Sequence, residues 1–247
     1  MNTIFNASCE EILPKLESKS VDLVLVDLPY GQTGYKWDCP INLDEMWKEL
    51  KRISKPKCNF IFFTTTKYGV DLINSNRNMF RYDLVWSKPN SNCGYLQANN
   101  MPLRKHEMIY VFGRNSCGAK TYNSQKIAGE PYCYKKKTGV AGSNLYNARV
   151  DMTTSNESGD RHRGSVFTTD KDGNLHKTQK PLDLCEWIIN SYSNEGDVVL
   201  DFCMGSGTTI VASINTKRNY IGIEKDTDIF SSAKKRIDYK IETGNLG

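Results

Sequence analysis

The chain is short of histidine, of closely spaced cysteines and of long apolar runs, and each shortage removes a class of function. It holds three histidines among 247 residues. Its eight cysteines, Cys9, Cys39, Cys58, Cys93, Cys117, Cys133, Cys185 and Cys203, never approach closer than 16 positions, so no C-x-x-C clamp exists. With so few ligands and no thiol pair, no metal site is expected. The longest apolar runs, such as Asn59-Phe60-Ile61-Phe62-Phe63, are strand-length and well short of a membrane span. Residues Met1 to Asn6 lack a basic stretch followed by an apolar one, so no secretory signal is read. Scattered cysteines without such a signal are expected to be reduced thiols in a cytoplasm.

Acidic charge is scarce in one segment only. The net charge is +5, yet residues 113–180 carry 12 of the 33 Lys/Arg and only 6 of the 28 Asp/Glu. The rest of the chain is close to neutral. A basic segment of this kind is either a solvated face or a surface for phosphate. It is also aperiodic and glycine-rich, with Lys135-Lys136-Lys137, Arg161-His162-Arg163 and the aromatics Tyr122, Tyr132, Tyr134, Tyr146 and Phe167. A structureless loop of that length is unusual inside a domain, which favours an inserted recognition element. Length allows one large domain carrying an insertion. The division is 1–112 and 176–247 as two halves of one domain, with 113–175 inserted.

Outside the insertion, strands and helices alternate. Strands are read at Thr3–Phe5, Val21–Val26, Asn59–Phe63, Leu84–Trp86, Met108–Phe112, Asp197–Leu200 and Tyr220–Ile223. Helices are read at Cys9–Glu17, Leu43–Ile53, Tyr68–Ile73, Pro181–Tyr192, Thr208–Ile214 and Asp226–Ile241. Strands that are apolar along their whole length imply a parallel sheet covered on both faces.

Two constellations sit at strand ends, where ligands bind in open α/β sheets. The first is Asp27-Leu28-Pro29-Tyr30, after Val21–Val26. Its carboxylate and a backbone carbonyl can accept two N–H bonds from an exocyclic amino group, while the ring stacks on a planar base. A tight turn with a packed tyrosine is the plainer alternative. The second is Asp201-Phe202-Cys203-Met204-Gly205-Ser206-Gly207-Thr208-Thr209, a strand end leading into a helix. The next strand ends at Glu224, placed for ribose hydroxyls. Ile210 occupies the third-glycine position of the dinucleotide fingerprint, and no G-x-x-x-x-G-K-[ST] occurs. A nucleoside ligand without pyrophosphate fits better.

Together these motifs resemble the S-adenosylmethionine-dependent amino methyltransferases of DNA. His176-Lys177-Thr178-Gln179-Lys180-Pro181 is similar to the family's H-P-T-Q-K-P element. Trp86-Ser87-Lys88-Pro89-Asn90 and His106-Glu107 are similar to its W-x-K-P-N and H-E stretches, and Asn6-Ala7-Ser8-Cys9 aligns with its N-G-D-C. The order, with target-base motif, recognition region and then cofactor motif, resembles the β subgroup. Leu28 and Lys177 replace prolines of the family pattern, and Ser8 stands where an Asp often reaches the cofactor's adenine.

The resemblance implies a circularly permuted Rossmann-like methyltransferase sheet with neighbouring termini. It implies S-adenosylmethionine as cofactor, held by Ser8, Cys9, Asp27, Thr178, Gln179, Lys180, Pro181, Asp201, Phe202, Cys203, Gly205, Ser206, Gly207, Thr208, Thr209, Glu224 and Lys225. Asp27, Leu28, Pro29 and Tyr30 are the expected catalytic group. Lys135, Lys136, Lys137, Arg161 and Arg163 are expected to meet double-stranded DNA. An Asp at the head of the tetrapeptide resembles the adenine-N6 enzymes, and the base would be flipped out of the duplex. Cytosine N4, an RNA substrate and a catalytically inactive cofactor- and nucleic-acid-binding protein are the alternatives. A homodimer and a restriction endonuclease sharing the site are open by analogy.

Overall fold

The computed structural model describes residues 2–31, 39–90, 94, 96, 98–114, 121–136, 152–170 and 179–244. Two compact units emerge, one of residues 1–123 with 165–247 and one of residues 124–164.

The larger unit is built on an eight-stranded sheet. Its strands are β1 (Asn2–Asn6), β2 (Val21–Asp27), β3 (Ser54–Thr64), β4 (Phe80–Ser87), β5 (His106–Gly113), β10 (Val166–Thr168), β11 (Val198–Asp201) and β12 (Asn219–Glu224). Their order is β1-β12-β11-β2-β3-β5-β4-β10. Every described pairing is parallel except the two made by β5, which runs against β3 and β4. The first strand lies beside the last, with Asn2 opposite Tyr220 and Asn6 opposite Glu224.

Strand alternation divides the core. Val24, Val26, Phe60, Phe62 and Phe112 face one side, with α1 (Cys9–Ile12), α2 (Leu43–Ile53) and α3 (Thr66–Ser75). Trp47 of α2 meets the rings of Phe60 and Phe62 edge-on at 5.8 and 5.6 Å. Leu23, Leu25, Ile61 and Phe63 face the other side, with α4 (Leu182–Tyr192), α5 (Thr208–Asn215) and α6 (Thr227–Thr243). Burial on both faces is why these strands read as unbroken apolar runs rather than alternating ones.

Element ends follow local chemistry. The first helix stops at Ile12 and tightens to a 3-10 turn over Leu13–Lys15, because Pro14 cannot continue it. Pro181 caps α4 rather than opening its first turn, and the Asp226 carboxylate caps α6 by accepting from Asp228 and Ile229 N–H. β10, inside the span read as insertion, joins the main sheet beside β4, and Asn123 Nδ2 donates to Ser193 O at 2.9 Å. Among the described residues of the smaller unit are two antiparallel pairs, β6 (Lys126–Ile127) with β9 (Arg161–His162) and β7 (Tyr132–Lys136) with β8 (Met152–Asn156). Among the described residues no helix is long and apolar enough to cross a membrane.

Candidate active site

From β2 the chain moves to β3 on one side, and from β11 to β12 on the other. The carboxyl ends of the neighbours β2 and β11 therefore flank the point where the sheet's winding reverses, the place open α/β sheets keep for ligands. A cavity of about 410 Å³ lies there. Asp27 and Asp201, the last residues of the two strands, both line it.

Asp27 is held by side chains. Its Oδ1 accepts the Tyr30 hydroxyl at 2.5 Å, and its Oδ2 accepts from Lys180 Nζ. Lys180 Nζ also lies 3.3 Å from Glu107 Oε2, and Glu107 Oε1 accepts from Lys88 Nζ. Lys88 is 1 % exposed, its ammonium 4.2 Å from the Trp86 ring centroid. Burial pushes the Asp27 carboxyl above its ordinary range, against the pull of Lys180. Burial acts the same way on Glu107, but Lys180 and Lys88 overcome it and hold that carboxyl at about 2. The Lys180 ammonium is held charged by its two acids, although burial opposes this. The Tyr30 hydroxyl is raised by burial and by Asp27.

Asp201 is held by its own loop, through the Thr209 hydroxyl and the Cys203 backbone. It is 3 % exposed, and Oδ1 accepts from Cys203 N–H at 3.1 Å. Burial raises its carboxyl to about 7, with a hydrogen bond from Thr209 and the Cys203 N–H opposing. Glu224 acts on the same loop from the next strand. Its Oε2 accepts from Gly205 N–H at 3.0 Å and its Oε1 from Asp226 N–H at 2.9 Å. The turn requires Gly207, which has φ +77; a Cβ there would lie 3.1 Å from Ile237 Cδ1.

Of the residues expected at a site, all of Asp27-Leu28-Pro29-Tyr30 border the cavity. So do Cys9, Gln179 and Lys180, then Asp201, Phe202, Cys203, Gly205, Ser206, Thr208 and Thr209, and finally Glu224 and Lys225. Ser8, Gly207 and Pro181 do not line it. Ser8 Oγ accepts from Glu11 N–H at 3.3 Å and caps α1. Gly207 shapes the turn and Pro181 caps a helix. Thr178 and Lys137 lie outside the described residues, as do the side chains of Lys135 and Lys136. In the smaller unit Arg163 is half-buried. Arg161 donates to Gly159 O and Glu130 O at 2.8 Å, with its guanidinium 4.8 Å from the Tyr132 centroid.

Sequence reading passed over Glu10 and Arg104, which also border the cavity, and gave no role to Glu107. Glu107 stands at the start of β5, whose reversed direction brings that end to the ligand-facing edge. Reversal of one strand cannot be seen in an apolar run, so no local signal placed Glu107 beside Lys180.

Residues 21–235 match the DNA methylase family (N6_N4_Mtase). The chain is 27% identical over 252 residues to the Type II methyltransferase M1.MboII of Moraxella bovis, covering 94% of this chain and 95% of that one. It is 28% identical over 260 residues to the DNA adenine methyltransferase YhdJ of Escherichia coli K12, with coverages of 96% and 82%. Two solved structures share the fold. The M1.HpyAVI–SAM complex has a TM-score of 0.63 at 23% identity, covering 96% of this chain and 100% of its own. The cytosine-N4-specific PvuII DNA methyltransferase has 0.68 at 12% identity, covering 94% and 85%. With most of its length matched, this chain belongs to the DNA methylase family of N6 and N4 amino methyltransferases.

Proposed function

We propose that the protein methylates the N6 amino group of adenine in a specific DNA sequence, with S-adenosylmethionine as methyl donor. The observation that carries this reading is the Asp27 carboxylate, facing the cavity beside Tyr30 and Lys180 and next to the Asp201–Thr209 loop.

The cavity suits such a donor in size, since ligand pockets run from about 300 to 1,000 Å³. It also suits it in chemistry. Gln179 Oε1 is buried without a hydrogen-bond partner among the described residues, an acceptor available to a ligand N–H. Phe202, Ile223 and Ile229 give the pocket apolar wall, and Glu224 keeps lone pairs beyond the two that accept backbone N–H, available to ribose hydroxyls. Bound donor supplies an electrophilic methyl group on a sulfonium.

The protein's work is on the acceptor. An aromatic amino group is a weak nucleophile because its lone pair is delocalised into the ring. Asp27 retains acceptor sites beyond those used by Tyr30 and Lys180. A hydrogen bond to one of them, with a second to the Leu28 carbonyl, favours a pyramidal nitrogen and aims its lone pair at the methyl group. Groups preorganised in this way contribute roughly 100–1,000-fold each, and alignment adds an entropic share. Tyr30 supplies a ring face for the flipped base. The smaller unit, with Arg161 and the stacked pair Tyr132 and Tyr134, 5.6 Å between centroids, is proposed to meet double-stranded DNA.

The same acceptors can hold the N4 amino group of cytosine. That second reading has support in the fold shared with the cytosine-N4-specific PvuII enzyme. Labelled donor and mixed-sequence unmethylated DNA, followed by nucleoside digestion and mass analysis, decides between them. The expected product is N6-methyladenine; N4-methylcytosine would keep the mechanism and change the base. A circularly permuted sheet belongs to this reading too, supported by β1 beside β12. Joining the ends and reopening the chain within 124–164 should leave a cooperative thermal transition.

A further inference from the structure

Four charges from four separate elements meet at one end of the cleft. Asp27 closes β2, Lys88 follows β4, Glu107 opens β5 and Lys180 precedes α4. They alternate in sign, so each acid has a cation and Lys180 bridges two acids. Lys88 is almost wholly buried and Lys180 is 11 % exposed at its side chain. Burying charge in this way is costly unless every member is paired. The two acids border the cleft, Asp27 with 32 % of its side chain exposed and Glu107 with 24 %. A network that served stability alone would be served as well by apolar side chains of similar volume. Here it ends on Asp27, the most exposed of its four members and the acid at the head of the tetrapeptide turn.

We infer that Glu107 is a positioning residue for methyl transfer: acting through Lys180, it sets the charge and orientation of the Asp27 carboxylate, with Lys88 as its buried counterion. The inference rests on the role proposed for Asp27. Lys180 Nζ lies between the two acids and 5.2 Å from the Phe63 centroid, so it has little freedom to follow Asp27 alone. With Glu107 in place, Lys180 divides its charge between two carboxylates. Asp27 is then stabilised as an anion yet is not locked into a closed ion pair, and it keeps an acceptor site for an amino N–H. The groups facing Asp27 are Tyr30 from its own turn, Lys180 before α4, Glu107 from β5 and Asp201 from β11. Tyr68 of α3 lies behind Tyr30, 5.4 Å between ring centroids. Of these, Glu107 carries negative charge that disfavours the anion, and Lys180 opposes it. Removing Glu107 releases Lys180 wholly to Asp27.

Glu107→Gln alone strands the buried Lys88 ammonium and risks the fold. The double variant Glu107→Gln/Lys88→Met removes both members of that pair and is the variant to test. Two readouts are taken on the full chain. The first is the titration of the Asp27 carboxyl by carbon NMR in aspartate-labelled protein, assigned by its loss in Asp27→Asn. The second is kcat against pH at saturating donor and DNA. The expected result is an Asp27 midpoint lower by roughly one pH unit, the scale of a single neighbouring charge. The acid limb of kcat should move with it, and the plateau should fall roughly tenfold because the carboxylate is drawn toward Lys180. Glu107→Asp in an otherwise unaltered chain should restore part of the plateau. An Asp27 midpoint unchanged in the double variant would overturn the inference, whatever the turnover. A shifted midpoint in a protein that methylates no DNA would leave the coupling standing and remove the proposed function instead.

Discussion

Asp27 and Asp201 end neighbouring strands and border the same cavity, yet they are built into the protein in opposite ways. Asp27 is approached by a phenol and an ammonium on the side chains of Tyr30 and Lys180, and its own side chain remains 32 % exposed. Asp201 is 3 % exposed, and its oxygens are taken by a backbone N–H and a threonine hydroxyl of its own loop. A carboxylate used to fix backbone has little left for a ligand. One held by side chains at the rim can meet a substrate group without dismantling the turn. One is an acid proposed to act on the base, the other an acid that braces the loop proposed to hold the cofactor.

The strongest way to break this distinction is Asp27→Ala. Methyl transfer should fall about 1,000-fold or more, while donor affinity, measured by calorimetry, changes little. The fold should survive, because Lys180 keeps Glu107 at 3.3 Å as its partner. Turnover within tenfold of the wild type would remove Asp27 from the mechanism.

Gly207→Ala probes the other side. An alanine at φ +77 costs about 1–2 kcal/mol, and its Cβ would press on Ile237 at 3.1 Å. Thermal stability should drop by several degrees, and KM for the donor should rise more than kcat falls. A lowered kcat with unchanged KM would place the loop's influence on the reacting groups rather than on cofactor binding.

Asp201→Asn sharpens the comparison through pH. A carboxyl raised by burial to about 7 binds its proton more tightly in the folded chain than in the unfolded one. Its contribution to stability is therefore full at low pH and is lost as pH rises from the ordinary carboxylate range through about 7. Asn cannot titrate, and its amide oxygen can still accept from Cys203. The variant's denaturation midpoint should change less between pH 5 and pH 8 than that of the wild type. Parallel curves would show that Asp201 does not titrate there. Glu107, held at about 2, acts with the opposite sign, its contribution fading only below the ordinary carboxylate range.

How much of this was legible follows from the range of each interaction. The strands Val21–Asp27 and Val198–Asp201 announce themselves by the apolar runs Leu23–Val26 and Val198–Leu200, and the acids at their ends by position alone. Gly207 was legible as a glycine before a helix, and it stands in a left-handed turn without lining the cavity. The Lys180–Glu107–Lys88 chain was not legible as a unit. Its members are separated by 73 and 19 positions, and β5's reversal brings them together. Residues 124–164 had no readable periodicity because the strands among their described residues are two to five residues long and form two-stranded pairs. Such short ladders leave too few alternations for a pattern.

Ser8 marks the smallest effect and the clearest conflict between motif and geometry. Alignment with the family's N-G-D-C puts its hydroxyl at the cofactor, whereas its Oγ accepts from Glu11 N–H and the residue does not line the cavity. A hydroxyl cap of this kind is worth about 1 kcal/mol. Ser8→Ala should therefore lower the thermal midpoint by a few degrees and leave donor affinity unchanged. Ser8→Asp should keep the cap, since aspartate caps as well as serine does. If Ser8→Ala instead weakened donor binding with no loss of stability, the hydroxyl would belong to the pocket, and the cavity wall formed by Ala7, Cys9 and Glu10 would extend to include it.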